Sequence, residues 1–125
     1  MATLPESVLQ AWEQRSGPGV LATTDRDGVP NAIYFTCVRI FDEGTIVVAN
    51  NYFDKTLRNI LAGSSGTLLF LTAEQDSFQV KGTIEYHVDG PIFEDMKSWN
   101  PPELPGHGAA ALKVKEVYNG AERIL

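Results

Sequence analysis

The feature that most constrains this chain is a succession of short β-favouring runs, each closed by a cluster of turn residues. Gly19-Val20-Leu21-Ala22-Thr23-Thr24 ends at Asp25-Arg26-Asp27-Gly28, and the apolar run 31–41, with Ile33, Tyr34, Phe35, Val38 and Ile40, ends at Asp42-Glu43-Gly44. Thr45-Ile46-Val47-Val48-Ala49 follows at once. Connections this short join antiparallel neighbours, so these three runs predict a meander. Residues 67–72, 77–88 and 109–117 are three further strands, the second bent at Gly82.

Helical spacing interrupts the pattern in three places. Thr3 and Glu6 have the spacing of a capping box ahead of Val8, Leu9 and Trp12, which predicts a helix over 3–15 that Ser16-Gly17-Pro18-Gly19 stops. Leu57, Ile60 and Leu61 share a second helical face, and Ile92, Phe93 and Met96 a third, over 91–99. The fold class is therefore mainly β. Six antiparallel strands with two or three short helices favour a barrel, whose closure removes exposed edges; a two-layer α+β sheet is the alternative.

Size and charge narrow the function. The 125 residues suit one domain spanning 1–125, and a formal net charge of −6 disfavours a nucleic acid partner. The longest apolar stretch, 67–73, is far short of the roughly 20 residues a membrane helix needs, and residues 1–10 lack the basic start of a secretory signal. The expectation is a cytoplasmic protein with no membrane segment. Cys37 is the single cysteine and stands in an apolar run, as a small hydrophobe does.

Templates for phosphoryl transfer, Rossmann-type dinucleotide binding and zinc hydrolysis are absent. Of the two histidines, His87 reads as a strand residue, whereas His107 stands in a Gly- and Pro-rich loop where function concentrates. The segment Asn50-Asn51-Tyr52-Phe53-Asp54-Lys55-Thr56-Leu57-Arg58 runs from a strand end through a polar loop into a helix start. Lys55 supplies a positive charge and Thr56 a hydroxyl donor, which suits one phosphate. The competing reading is a solvated helix start capped by Asp54.

Taken together, the 19–24 run, Asp27-Gly28-Val29-Pro30-Asn31, the 45–49 run and Lys55-Thr56-Leu57-Arg58-Asn59-Ile60 resemble the FMN-binding split-barrel superfamily, which includes pyridoxamine 5'-phosphate oxidase. The likeness is greatest to the small FMN-binding proteins of anaerobic bacteria. It implies a six-stranded split barrel forming a homodimer, with one FMN per protomer near the subunit interface. Lys55 and Thr56 would hold the phosphate and Asn31 would face it. Ala32, Ile33 and Tyr34, with Val48, Ala49, Asn50 and Asn51, would run along the isoalloxazine, largely through backbone groups. His107 would stand at the ring, and Leu125, in the ending Glu122-Arg123-Ile124-Leu125, would cover the partner's flavin. Ile33 and Thr36 depart from the aromatic residues that the small FMN-binding proteins carry.

The function implied is flavin-mediated electron transfer, with a redox protein or a small molecule as partner. The alternatives are a flavin-dependent oxidoreductase acting on a small molecule, with residues 101–108 as a lid, or a non-catalytic flavin-sensing dimer. The basic residues that hold substrate phosphate in pyridoxamine 5'-phosphate oxidase have no evident counterpart, so oxidation of a B6 vitamer is not expected.

Overall fold

The computed structural model describes residues 2–125. Helix α1 (Glu6–Glu13) precedes β1 (Gly19–Thr24), β2 (Pro30–Phe35), β3 (Val38–Asp42) and β4 (Thr45–Asn50). Helix α2 (Lys55–Leu61) leads into β5 (Ser65–Leu71) and β6 (Ser77–His87), and α3 (Gly90–Trp99) into β7 (Gly108–Asn119) and the short β8 (Glu122–Arg123). The strands form one sheet in the order β2-β1-β5-β6-β7-β4-β3, with β8 beside the far end of β7. Every pairing is antiparallel.

The two edges of that sheet, β2 and β3, are consecutive in the chain and separated only by Thr36 and Cys37. Three Cα–Cα steps reach at most about 11 Å, so the edges are forced together and the sheet curls on itself. The fold is a split barrel. The described residues hold eight strands rather than the expected six, and the expected strand over 31–41 is two. At Cys37 the chain changes partner: Phe35 is opposite Gly19 on β1, whereas the Cys37 carbonyl accepts the amide of Ala49 on β4 at 3.0 Å. The anticipated meander is therefore two hairpins, β1–β2 and β3–β4, that do not pair with each other. An apolar run records burial, and burial is continuous across a change of partner.

Two side-chain layers explain the composition of the strands. Ile46, Val48, Leu68, Phe70, Phe78, Val80, Leu112 and Val114 fill the barrel interior, where Phe70 stacks on Phe78 at 5.3 Å and meets Trp12 of α1 edge-on at 5.0 Å. Val47, Ala49, Ala109 and Ala111 face outward, under Ile92 and Met96 of α3. Both faces of β4 are thus covered, and all six of its residues are buried.

Helix α1 is shorter than the expected 3–15 and carries no capping box. Pro5, whose ring has no polar atom to cap with, stands at its N-cap, and the Leu4 amide donates to the Glu43 carbonyl at 2.7 Å, tying the preceding residues to the β3–β4 turn. The bend foreseen at Gly82 is a register shift against β7 after Lys81. A Cβ at this position would run into the Lys113 carbonyl oxygen, backbone that cannot step aside. Gly82→Ala should accordingly cost about 3 kcal/mol, read as a lower urea midpoint with an unchanged slope.

Candidate functional site

The site starts from a closed set of polar contacts between α2 and the first hairpin. Thr23 and Asn31 are directly opposed across β1 and β2. Thr56 and Asn59 lie three residues apart on α2, on its buried face. Asn31 Nδ2 donates to Thr56 Oγ1 at 3.1 Å, and Asn59 Nδ2 donates to Thr23 Oγ1 at 3.0 Å. These two bonds dock the helix on the hairpin and set Lys55 beside Asn31.

A cavity of about 460 Å³ opens there, lined by Asp25, Val29, Pro30, Asn31, Lys55, Arg58 and Asn59. Its charges are unequal. Asp25 Oδ1 is turned back to accept the amides of Asp27 and Val29, both at 2.9 Å, while Arg58 lies 3.4 Å from Asp54 in an exposed pair worth little. Among the described residues no carboxylate lies within 4.0 Å of Lys55. Asp54 does not cap α2: it holds the N-cap position without a side-chain cap bond, its carboxylate facing Arg58 instead.

Two residues further along the same face of β2, Ile33 enters a second cavity of about 210 Å³. Tyr34, Thr36, Cys37, Ala49, Tyr52 and Leu104 are among its walls. Tyr34 and Tyr52 are 76% and 78% exposed, so this apolar slot carries two solvent-facing aromatics at its mouth. β2 pairs on one side only, leaving every second backbone N–H and C=O beside the slot free, whereas β4 is paired to both β3 and β7.

Of the residues expected at the site, Asn31 and Lys55 line the first cavity, Thr56 is buried behind it with its hydroxyl bonded to Asn31, and Ile33, Tyr34, Ala49 and Asn51 line the second. Ala32 projects from the opposite face of β2, and Val48 points into the barrel. Asn50 is buried and its side chain is engaged: Oδ1 accepts the Phe53 amide at 2.9 Å and Nδ2 donates to Tyr86 Oη at 2.7 Å. His107 is exposed, its amide donating to the Asn50 carbonyl at 2.8 Å. Leu125 packs on this chain's own core and donates its amide to Val117, roughly 30 Å along β7 from Gly108 at 3.3 Å per residue. Cys37 and Leu104 were not foreseen: the former looked like core, and no local signal brings residue 104 to the end of β4.

A third cavity, of about 380 Å³, lies over β1, β5, β6 and β7, with Thr24, Thr67, Lys81, Lys115 and Glu116 in its wall. Tyr118 donates to Glu116 at 2.6 Å, which holds the Glu116 carboxyl below its ordinary range and the Tyr118 phenol above its own. Among the described residues no helix is long and apolar enough to cross a membrane, and no three metal-binding side chains gather.

Residues 5–120 match the sequence model of pyridoxamine 5'-phosphate oxidase. The chain belongs to that family. An uncharacterised relative from Methanocaldococcus jannaschii is 34% identical over 104 residues, covering 79% of this chain and 70% of that one. Among solved structures in which the fold recurs, HupZ of Group A Streptococcus superposes with a TM-score of 0.80 at 21% identity, over 93% of each chain. An FMN-binding protein from Syntrophomonas wolfei superposes with a TM-score of 0.73 at 21% identity, over 90% of this chain and 94% of that one.

Two outcomes follow from the site's bonding. Asn50→Ala leaves the Phe53 amide and the Tyr86 hydroxyl without their partner and should cost about 2–3 kcal/mol in urea unfolding. Tyr118→Phe removes the donor that favours ionised Glu116, so that carboxyl should titrate at higher pH, closer to its ordinary value, in a carboxyl-carbon NMR titration.

Proposed function

We propose that this protein binds FMN and serves as a flavin-dependent electron-transfer protein. The observation that carries the reading is the placing of Lys55, a cation with no carboxylate partner among the described residues, beside the Asn31 amide that bonds the buried Thr56 hydroxyl, two residues along β2 from an apolar slot. The donor set fits a phosphate monoester. Lys55 offsets its charge, Asn31 and Thr56 add hydrogen bonds, and the carboxylate that lines the cavity, on Asp25, is occupied within its own turn. The slot fits a flat ring, since Ile33, Ala49 and Leu104 exclude water while the free edge of β2 offers backbone donors and acceptors. Family membership and the Syntrophomonas FMN-binding protein support the same ligand.

FMN supplies one- and two-electron redox chemistry when bound. The protein's part is to hold the phosphate at Lys55 and Thr56, to align the ring against β2, and to limit water through Tyr34 and Tyr52. A second copy of the chain completes the site in a homodimer: Leu125 does not line its own slot, and the slot's mouth is open. Lys55 is exposed, so the Lys55→Ala change alone leaves the fold intact and should itself weaken binding, whereas Thr56 is buried and bonded to Asn31.

The purified protein should therefore quench FMN fluorescence with one flavin per chain. The Lys55→Ala, Thr56→Ala double variant should bind about 100-fold more weakly, and a variant that keeps full affinity removes the phosphate site from this location. Steady NAD(P)H turnover with a small acceptor would make it an oxidoreductase; reduction only through a protein partner fits a carrier.

A further inference from the structure

Residues 100–107, Asn100-Pro101-Pro102-Glu103-Leu104-Pro105-Gly106-His107, have the composition of a free loop. The structure fastens them to the end of β4 instead. Asn51 Nδ2 donates to Asn100 Oδ1 at 3.0 Å, and Asn100 Nδ2 returns a bond to Asn51 Oδ1 at 2.9 Å. The same Asn51 oxygen accepts the Gly106 amide at 2.9 Å. Both asparagines are buried, so water does not compete for these bonds. Outside this buried pair, Lys97 Nζ donates to the carbonyls of Pro105 at 3.1 Å and Gly106 at 3.4 Å, and the His107 amide donates to Asn50.

The backbone presets this arrangement. Pro101 keeps Asn100 extended at φ −68° and ψ 134°, turning its side chain away from the course of α3. Gly106, at φ +51°, approaches so closely that a Cβ would lie 3.0 Å from both Asn100 Nδ2 and Lys97 Nζ. Between these fixed points the Leu104 amide closes a turn onto the Pro101 carbonyl at 3.0 Å. That turn delivers Leu104 to the slot lined by Ile33, Ala49 and Asn51 itself.

We propose that the Asn51–Asn100 amide pair is a latch that holds Leu104 as a fixed wall of the ring cavity, so that Leu104 governs how long a flat ring stays bound. Asn100 is then a positioning residue, acting through Leu104, and the 100–107 segment is a wall rather than a lid. The inference rests on the flavin reading of this cavity.

The test measures FMN dissociation and amide hydrogen exchange for the wild type, Asn100→Leu, Leu104→Ala and the double variant. In the wild type the Gly106 and His107 amides should be protected. Leu104→Ala should speed FMN release about tenfold with that protection unchanged. Asn100→Leu should lose the protection and speed release to a similar extent, and in the Leu104→Ala background it should add little, because both changes remove the same wall. If Asn100→Leu does not fold, Lys97→Met loosens the segment from the surface and should act in the same direction. Additive effects of the two changes, or Leu104→Ala releasing FMN at the wild-type rate, overturn the latch. A wild type that binds no FMN overturns the flavin reading instead, and the latch's role with it.

Discussion

The two-residue link between the outermost strands governs this structure. With β2 and β3 at opposite edges of the sheet and only Thr36 and Cys37 between them, a flat sheet is unattainable. The curl that results encloses Leu68, Phe70, Val80 and Leu112, and it leaves a seam where β2 keeps unpaired backbone groups. Thr36 and Cys37 themselves line the apolar slot. The closure that makes the core thus also makes the slot.

The polar contacts do a different job. The bonds from Asn31 to Thr56 and from Asn59 to Thr23 replace what would otherwise be unsatisfied groups between a helix and a hairpin. Such a set contributes little net stability, since water would satisfy the same groups in the unfolded chain, yet any other docking of α2 leaves buried donors unpaired. The consequence is precision at Lys55. A single cation then acts locally in a chain whose net charge of −6 repels anions at a distance.

What the sequence shows and what it conceals divide along chain separation. The turns after Thr24 and Phe41, the start of α2 at Lys55 and the bend at Gly82 rest on neighbours in the chain, and each is visible there. So is the meeting of Asn31 with Thr56, though only through the family resemblance. The change of partner at Cys37 leaves no trace, because Phe35 and Val38 are apolar on either side of it. Thr3 and Asp54 have the right residue types for caps and do not act as caps: Pro5 holds the N-cap position in the first case, and Arg58 faces the second. The pairing of Asn51 with Asn100 spans 49 positions, and nothing local to either predicts it.

The order of strands also bears on how the chain comes into being. β1 pairs with β5, and β4 with β7, so each of the first two hairpins waits for a neighbour made much later. During synthesis the first 50 residues have their turns but no sheet to join, and β7, the last long strand, bridges β6 to β4 and closes the barrel. Topologies dominated by such distant pairings fold slowly. The nascent N-terminal half therefore spends its time on the ribosome with open strand edges, the stage at which a chaperone has most to protect.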